Sequence, residues 1–315
     1  MLGVGFGLAV IIGNTIGAGI FRAPGQIAEQ IPAPAPFLLI WLVGGLYALL
    51  GAISLPDLGT MIPRSGGQYV FSRYALGDYA GFIVGWSDWI SSCGSTAAVA
   101  LVTGMFSGAL IPALEGKATA TAAAVTIFFA LLQWRGIVWG SNIQNLTSLV
   151  KALAFFALIV AAFIFGGNGS LTSSETYSTS TITLTAVIVS LQAAFYTYDG
   201  WAGVIYFSEE VKHSGRDIPR ALLGGVLTIT AIYVLVNVAL LYVLPIHQIA
   251  GKEFAAGEAA NVIFGAHGDT IFRCLTIASM LSGINALHLM ATRVIFAMSR
   301  DGLFSSRAAV VNEGG

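Results

Sequence analysis

The sequence predicts an all-α protein that crosses a lipid bilayer many times. Of its 315 residues, 56% are hydrophobic and only 9% are charged, whereas soluble domains carry about 25% charged residues. Apolar runs of about 20 residues recur along the chain, and each can cross a hydrocarbon core about 30 Å thick. Because lipid offers no partner to backbone amides and the runs lack the two-residue alternation of barrel strands, the spans are predicted to be helices.

Eight spans are predicted, and the first and sixth are interrupted. The spans cover residues 3–30, 36–61, 78–111, 119–135, 142–166, 181–211, 220–244 and 270–299. The segment 245–269 is too polar to span, and it is predicted to form short helices or a connector over the outer face.

Basic residues are concentrated in the loops on one predicted side of the membrane. These residues are Arg64, Arg73, Arg135, Lys212, Arg216, Arg220, Arg300 and Arg307. The other side carries Lys117, Lys252 and, at a span edge, Arg273. By the positive-inside rule, the N-terminus is predicted to be cytoplasmic in a multi-pass protein of the plasma (inner) membrane. The net charge of −1 indicates no nucleic acid partner.

The first span contains the stretch "GNTIGAGIFRAPG", residues 13–25. Each glycine in a helix interior costs roughly 1 kcal/mol relative to alanine, so the helix is predicted to unwind around Gly17, Ala18 and Gly19. Unwinding would leave carbonyls at the end of one half-helix and amides at the start of the other, with partial charges of about −0.5 and +0.5. The alternative explanation for the glycines is close packing between membrane helices.

The sixth span contains "FYTYDGWAG", residues 195–203, in which Asp199, Gly200 and Gly203 interrupt an apolar run. An acidic residue at this depth costs about 2.5–3.5 kcal/mol unless it meets water, a partner or an ion. Two weakened helices, each leading one half of the chain, are typical of an inverted-repeat transporter with substrate bound near the membrane midplane.

The two breaks together are complementary to a zwitterion. An α-amino acid carries a carboxylate and an ammonium group a few ångströms apart, and each can meet one pole. The amides of Ala18 and Gly19 are predicted to bind the carboxylate. The predicted partners of the ammonium group are the carbonyls near Ile16 and those released around Tyr196, Thr197 and Asp199.

Four stretches in order resemble the permeases of the amino acid-polyamine-organocation superfamily, in particular the L-type and cationic amino acid permeases. They are "IIGNTIGAGIF", "IPRSGGQYVFSRYALGDYAGFIVGW", "FYTYDGWAGVIYFSEEVKHSGRDIPRAL" and "ATRVIFAMSRDGLF". The resemblance covers nearly the whole chain. It implies a leucine transporter-like fold of two inverted five-helix repeats followed by two further helices.

On this resemblance, residues 1–166 form the first repeat, 181–301 form helices six to eight of a partial second repeat, and 302–315 form a cytoplasmic end. Eight of the expected twelve helices are present, so the chain is expected to be a C-terminally truncated piece. The resemblance also implies site residues. The carboxylate contacts are Gly17, Ala18 and Gly19, and the amine contacts are the carbonyls of Ile16, Tyr196, Thr197 and Asp199.

Three polar or aromatic residues have predicted coupling or gating roles. Tyr196 occupies the position of an aromatic that closes the outer gate in similar permeases. Asn285 aligns with a polar position that faces the unwound first helix, although an Asn at lipid depth also commonly joins helices. Lys151 lies about two turns into the fifth span and needs a partner.

Two interpretations of Lys151 remain open at the sequence level. Its stem can cover apolar surface while its ammonium group reaches the interface, or the ammonium group can bind carbonyls freed near Gly13 and Asn14. Similar permeases carry a lysine here where sodium-driven relatives hold a cation. Proton coupling through a buried lysine is chemically feasible, and so is obligatory exchange with a permanently charged Lys151.

Several other side chains carry weaker expectations. Asp57 and Asp88 are expected to be solvated or paired with arginines, and Arg22 is expected to pair with Glu29. Cys93 and Cys274 are expected to be small buried thiols. The charged loop after the sixth span is expected to be a solvated face or a network of ion pairs that closes an inner gate; its members are Glu209, Glu210, Lys212, Arg216, Asp217 and Arg220.

The sequence therefore predicts a secondary active transporter of amino acids that works by alternating access, by proton symport or by exchange, without a cofactor or metal. Its partners are an amino acid, possible coupling protons and the lipid bilayer. Neutral amino acids are favoured, and a cationic amino acid or polyamine becomes the alternative if Asp199 faces the pocket.

Other functional classes are disfavoured. An intramembrane enzyme needs a nucleophile with a base or a metal cluster at membrane depth, and a channel needs a charged ring or a filter loop. Neither pattern is found, since the four histidines are scattered without Asp or Cys at ligand spacing; they are His213, His247, His267 and His288.

Overall fold

The computed structural model describes residues 2–17, 19–167, 169–171 and 182–310, and these residues form helices and no strand. Some residues named in the predictions lie outside the described residues. They are the predicted contact Ala18 and, at the bounds of two predicted segments, residues 181 and 311–315. The α-helices are α1 Val4–Thr15, α2 Gly19–Gln30, α3 Pro34–Met61, α4 Gln68–Leu76, α5 Asp78–Leu110, α6 Ala118–Trp134, α7 Ile137–Phe165, α8 Leu184–Tyr198, α9 Ser214–Val243, α10 Ile246–Ile249, α11 Ala255–Phe264 and α12 Gly268–Arg300.

Five stretches of the described chain are long and apolar enough to cross a membrane, and α1 with α2 makes a sixth if the bent pair is one span. The five stretches are Pro34–Met61, Asp78–Leu110, Val138–Phe165, Ser214–Val243 and Ala255–Arg300. At about 1.5 Å per residue, α6 and α8 are shorter than a hydrocarbon core of about 30 Å. A multi-pass helical membrane protein is therefore confirmed, whereas the count of eight spans stays a prediction.

Both predicted interruptions are breaks in the observed helices. In the first span, α1 ends at Thr15, α2 begins at Gly19, and their axes differ by 48°. In the sixth, α8 ends at Tyr198 and a 3-10 segment follows at Trp201–Phe207. Gly200 between them has φ of +105°, a left-handed conformation that favours glycine. Both breaks, in the first and in the sixth span, therefore contain glycine.

The first half-helix lies in the centre of the structure. Helix α1 packs against α7, α9, α12 and the 3-10 segment, and Val10, Ile11 and Ile16 are fully buried. A helix that is apolar on all sides is expected to be surrounded by other helices. The end of α1, and therefore the first break, is consequently enclosed by protein.

The polar segment 245–269 forms the short helices α10 and α11, as predicted from its composition. Its expected position over the outer face stays a prediction. Helix α10 packs against α2, and a Cβ atom at Gly25 of α2 would lie 1.9 Å from the carbonyl oxygen of Lys252. This segment is thus docked closely on the second half of the interrupted first span.

Two expectations about side chains are wrong. Cys93 and Cys274 are both exposed, because each lies on a helix face that is turned away from the packed neighbours. Arg22 pairs with Glu253 at 3.3 Å and not with Glu29. The loop that follows α10 brings Glu253 over the start of α2, and a pairing between residues so distant in sequence has no signature in local spacing.

Close helix packing at Gly104 gives a test of the fold with an internal control. A Cβ atom at Gly104 of α5 would lie 2.3 Å from the carbonyl oxygen of Ala118, whereas a Cβ atom at Gly94 of the same helix meets nothing within 4 Å. We expect Gly104→Ala to lower stability by about 1–3 kcal/mol through overpacking. Gly94→Ala should be neutral or stabilising by at most about 1 kcal/mol. Thermal unfolding in detergent measures both, and equal midpoints for the two variants would contradict the packing.

Candidate functional site

The two breaks lie directly against each other. The position of a Cβ atom at Gly19 is 3.1 Å from Cα of Thr197, and the side-chain amide of Asn14 donates a hydrogen bond of 3.2 Å to the carbonyl oxygen of Gly200. A Cβ atom at Gly200 would lie 2.7 Å from the same amide nitrogen. Small residues are therefore required on both sides of the contact, and the unwound segments share one site.

Lys151 binds the carbonyl end of α1. Its Nζ atom donates to the carbonyl oxygens of Gly13 at 2.9 Å and of Ile16 at 2.6 Å, and the residue is 2% exposed. The structure therefore agrees with the second interpretation, in which the ammonium group binds carbonyls freed by the break. The cation therefore lies against the negative pole of a half-helix, where the helix dipole favours positive charge. A role in coupling stays a prediction.

The carbonyl oxygen of Ile16, assigned to the substrate amine at the sequence level, is already occupied in this conformation. It accepts from Lys151 Nζ and also from Ser279 Oγ at 3.0 Å. A carbonyl oxygen has two lone pairs, so both are in use. The oxygen of Ile16 is therefore not available to a substrate ammonium group here.

Tyr233 of α9 joins the two breaks and was missed by sequence reasoning. Its hydroxyl lies 2.7 Å from the carbonyl oxygen of Thr15 and 3.1 Å from that of Thr197, and the residue is fully buried. These oxygens belong to the last turns of α1 and α8, and carbonyl groups in the last turn of a helix have no intrahelical donor. The only sequence signal was a tyrosine within an apolar span, since a buried tyrosine hydroxyl usually has a partner.

Asn285 does not face the unwound first helix. Its amide donates to the carbonyl oxygen of Gly140 at 3.1 Å and to Gln144 Oε1 at 2.8 Å, and its oxygen accepts from Gln133 Nε2 at 2.7 Å. Gln144 in turn donates to the carbonyl oxygen of Ala9 at 3.1 Å. Asn285 thus joins α12 to α6 and α7 and reaches the first helix only through Gln144, as in the helix-joining alternative.

Tyr196 and Asp199 line one cavity of about 730 Å³. The carboxylate of Asp199 is exposed and accepts from the backbone amide of Gly200 at 2.9 Å, and Tyr196 is 77% exposed. The other lining residues come from α3, α4, α8 and the 3-10 segment; they include Tyr47, Gln68, Gln192, Phe195 and Trp201. The lining residues include none of the described residues of α1, α2 or the first break, so a position for Asp199 in the substrate pocket between the two breaks stays a prediction.

Charged residues from α4, from α12 and from the loops that follow α3, the 3-10 segment and α12 form a layer at one end of the protein, which we call the ion-pair layer. Its members are Arg64, Arg73, Glu209, Glu210, Arg293, Arg300 and Asp301. Asp301, with a side chain 8% exposed, meets Arg64 at 3.1 Å and Arg73 at 3.0 Å. Glu209 meets Arg300 at 2.9 Å and Glu210 meets Arg293 at 2.9 Å. The loop after the sixth span is therefore fixed to the end of α12.

Glu209 contacts two other segments of the chain. Its carboxylate accepts from the backbone amide of Ser65 at 3.0 Å and from Arg300 at 2.9 Å. Partial burial alone would raise the pKa of Glu209, but the hydrogen bonds from Ser65 and Arg300 hold it below its usual range. Glu209 is therefore a stable anion that fixes the loop after α3 to the loop after the sixth span. Within the latter loop, Arg216 pairs with Asp217 at 2.8 Å.

Comparisons of the sequence with known proteins show the family. The model of the amino acid permease family matches residues 7–315. The chain belongs to the amino acid permease family. It is 31% identical to the serine/threonine exchanger SteT of Bacillus subtilis over 303 residues, 95% of this chain and 68% of that protein. The mouse b(0,+)-type amino acid transporter 1 is 27% identical over 94% of this chain and 62% of its own length.

A third relative is also named as an amino acid transporter. The mouse Asc-type amino acid transporter 1 is 26% identical over 96% of this chain and 59% of its own length. The chain thus spans between 59% and 68% of the length of these three relatives. All three are transporters by name, so the family confirms an amino acid permease and not an enzyme.

Removal of the ammonium group tests the role of Lys151 in capping α1. Lys151→Met should leave the carbonyl oxygen of Gly13 without this donor, and a buried unpaired group costs about 1–3 kcal/mol. Lys117→Met is the control, because Lys117 is exposed and caps its own loop at the carbonyl oxygen of Ala113; it should change stability by less than about 0.5 kcal/mol. Thermal unfolding in detergent distinguishes them, and a Lys151→Met protein as stable as the control would contradict the capping role.

Proposed function

We propose that this permease is a secondary active transporter that moves α-amino acids across the plasma (inner) membrane by alternating access. The observation that carries the proposal is the contact between two interrupted helices, with Gly19 against Thr197 and Asn14 against Gly200. Broken helices that meet inside a membrane offer unpaired backbone groups to a solute. Membership of the amino acid permease family gives the chemical class of that solute.

We assign the chain to a leucine transporter-like fold with eight spans of an expected twelve. Residues 1–166 form the first repeat, 181–301 a partial second repeat and 302–315 a cytoplasmic end. Support comes from the position of the breaks, since an interrupted helix begins each half. The N-terminus is cytoplasmic in this assignment, because the basic residues of the ion-pair layer then lie inside.

The substrate lies between the two breaks, with its carboxylate on the amides of Gly17, Ala18 and Gly19. The start of α2 at Gly19 supports this, because the first amides of a helix have no intrahelical acceptor and favour anions. The ammonium group binds the carbonyls at the end of α8 and at Asp199. Tyr196, which lines the cavity, closes over the substrate from the outer side.

The transport mode is exchange of neutral amino acids. The name of the Bacillus subtilis relative describes an exchanger, and Lys151 provides a resident cation that occupies the negative pole of α1 without an imported ion. Proton symport through Lys151 is the second candidate, because a buried lysine surrounded by carbonyls can release its proton. Asn14, which donates to the carbonyl oxygen of Gly200, couples the two breaks in either mode.

A bulky residue at the break tests the proposed site. Gly17 has open space, since the nearest atom to its Cβ position is the carbonyl oxygen of Asn14 at 4.0 Å, so Gly17→Leu should fold and fill the substrate position. Gly19→Leu should act likewise but also clash with Thr197. Gly5→Leu in α1 is the control, because nothing lies within 4 Å of its Cβ position.

Counterflow in vesicles that contain the full-length protein gives the readout. Preloading with unlabelled neutral amino acid should accelerate uptake of labelled amino acid by the parent and by Gly5→Leu, and Gly17→Leu should lower it at least about tenfold at equal insertion, because the substrate carboxylate loses its contacts. Normal counterflow by Gly17→Leu would contradict the site. Uptake that preloading does not accelerate would contradict exchange.

A cationic amino acid or polyamine is the alternative substrate, favoured by the carboxylate of Asp199 in the cavity. Under this alternative, Asp199→Asn should selectively abolish uptake of lysine-like or polyamine substrates while leucine-like substrates are spared, because a neutral amide no longer attracts the side-chain cation. Under the main proposal, Asp199→Asn should leave neutral uptake within about threefold of the parent, since the carbonyl contacts remain. A panel of labelled substrates measured on both proteins separates the two outcomes.

A further inference from the structure

Asp88 is a carboxylate within a spanning helix, and it forms no ion pair with a described residue. It lies ten residues after the start of α5 and is half-buried. Of the two expectations, solvation or an arginine partner, the second is not found among the described residues, and the Oδ2 atom of Asp88 accepts a hydrogen bond of 2.8 Å from the hydroxyl of Tyr206. Among the ion pairs of the described residues, none includes Asp88.

Tyr206 belongs to the 3-10 segment that continues the sixth span, and it contacts two other parts of the chain. Its carbonyl oxygen accepts from the backbone amide of Gly66 at 3.2 Å. A Cβ atom at Gly67, whose φ is +63°, would lie 2.5 Å from the tyrosine ring. The residue is 5% exposed. One tyrosine thus fixes the 3-10 segment both to α5 and to the glycine loop after α3.

The charges around Asp88 do not offer it a better partner. Asp199 lies within electrostatic reach and repels it. Helices α4 and α12 pack on α5, but Arg73 and Arg300 from these helices bind carboxylates of the ion-pair layer. The hydroxyl of Tyr206 is therefore the group that compensates Asp88 for the loss of water, and a hydrogen bond to a charged acceptor is stronger than a neutral one.

We propose that Asp88 and Tyr206 are positioning residues, and that their hydrogen bond holds the 3-10 half of the sixth span against α5 and sets how readily that half moves away. Neither residue is required to touch the substrate. The inference rests on the proposed function, because movement of this half-helix matters only if the protein alternates between conformations. Along the chain, Tyr206 lies between the break at Gly200 and Glu209 of the ion-pair layer, so the bond holds the segment that joins them.

Cysteine accessibility measures this movement without a substrate. Ser208, which follows the 3-10 segment and is 1% exposed, is replaced by cysteine in the full-length protein that also carries Cys93→Ser and Cys274→Ser. The rate of labelling by a water-soluble thiol reagent is then measured in detergent for Asp88→Ala, Tyr206→Phe, the double variant and Asp88→Asn. Ser87→Ala, an exposed neighbour, is the matched control.

Loss of the bond should raise the labelling rate about tenfold in Asp88→Ala and in Tyr206→Phe, a change typical of a hydrogen bond to a charged group. The double variant should be no faster than either single variant, since all three lack the same bond. Asp88→Asn keeps an acceptor oxygen and should stay within about twofold of the parent, as should Ser87→Ala.

Three results would overturn the proposal: unchanged labelling in both single variants, additive effects in the double variant, or an Asp88→Asn protein that labels as fast as Asp88→Ala. Counterflow measured on the same proteins keeps the two inferences separate. Faster labelling of both single variants in a protein that shows no counterflow would support the positioning role and contradict transport.

Discussion

The structure depends on one constraint, which is that backbone groups released inside a membrane need partners, because lipid supplies none. Helix α1 ends at Thr15 in the centre of the structure, and its last carbonyls would be unpaired in a simple bundle. Lys151 and Tyr233 supply the missing donors, from α7 and α9 respectively. The surrounding helices are therefore arranged around the end of α1, and the break is a stable feature of the fold.

This arrangement makes the first break asymmetric. Its carbonyl pole is filled by the ammonium group of Lys151, which contacts Gly13 and Ile16, whereas the amides that begin α2 have no partner within their own helix. A zwitterion would consequently use the first break for its carboxylate and the sixth span for its ammonium group. The resident cation replaces one of the two poles that the sequence alone assigned to the substrate.

Much of the fold could be predicted from the sequence because its signals are local. Glycine clusters and Asp199 marked both breaks, and the polarity of 245–269 indicated the short helices α10 and α11. A lysine without an acidic neighbour indicated that Lys151 needs a partner, and carbonyls freed by the first break were one of the two interpretations. These features follow from the chemistry of a few adjacent residues.

The errors and omissions share a different cause, which is that long-range pairing has no local signature. Tyr233, Asp88 and Asn285 each find partners on other helices, and these partners depend on how the helices pack. Arg22 pairs with Glu253, far along the chain, because α2 and the loop after α10 are neighbours in space. The exposure of Cys93 and Cys274 likewise depends on which helix face lacks a neighbour.

The central claim is that opposite backbone poles at the two breaks recognise the two charged ends of one amino acid. Equilibrium binding to the full-length protein in detergent tests it most directly, with a neutral amino acid, its decarboxylated amine and its deaminated acid as ligands. The account predicts that each analogue binds at least about 100-fold more weakly than the intact amino acid, because each loses charge-assisted hydrogen bonds. Equal affinity for the amino acid and for either analogue would contradict it.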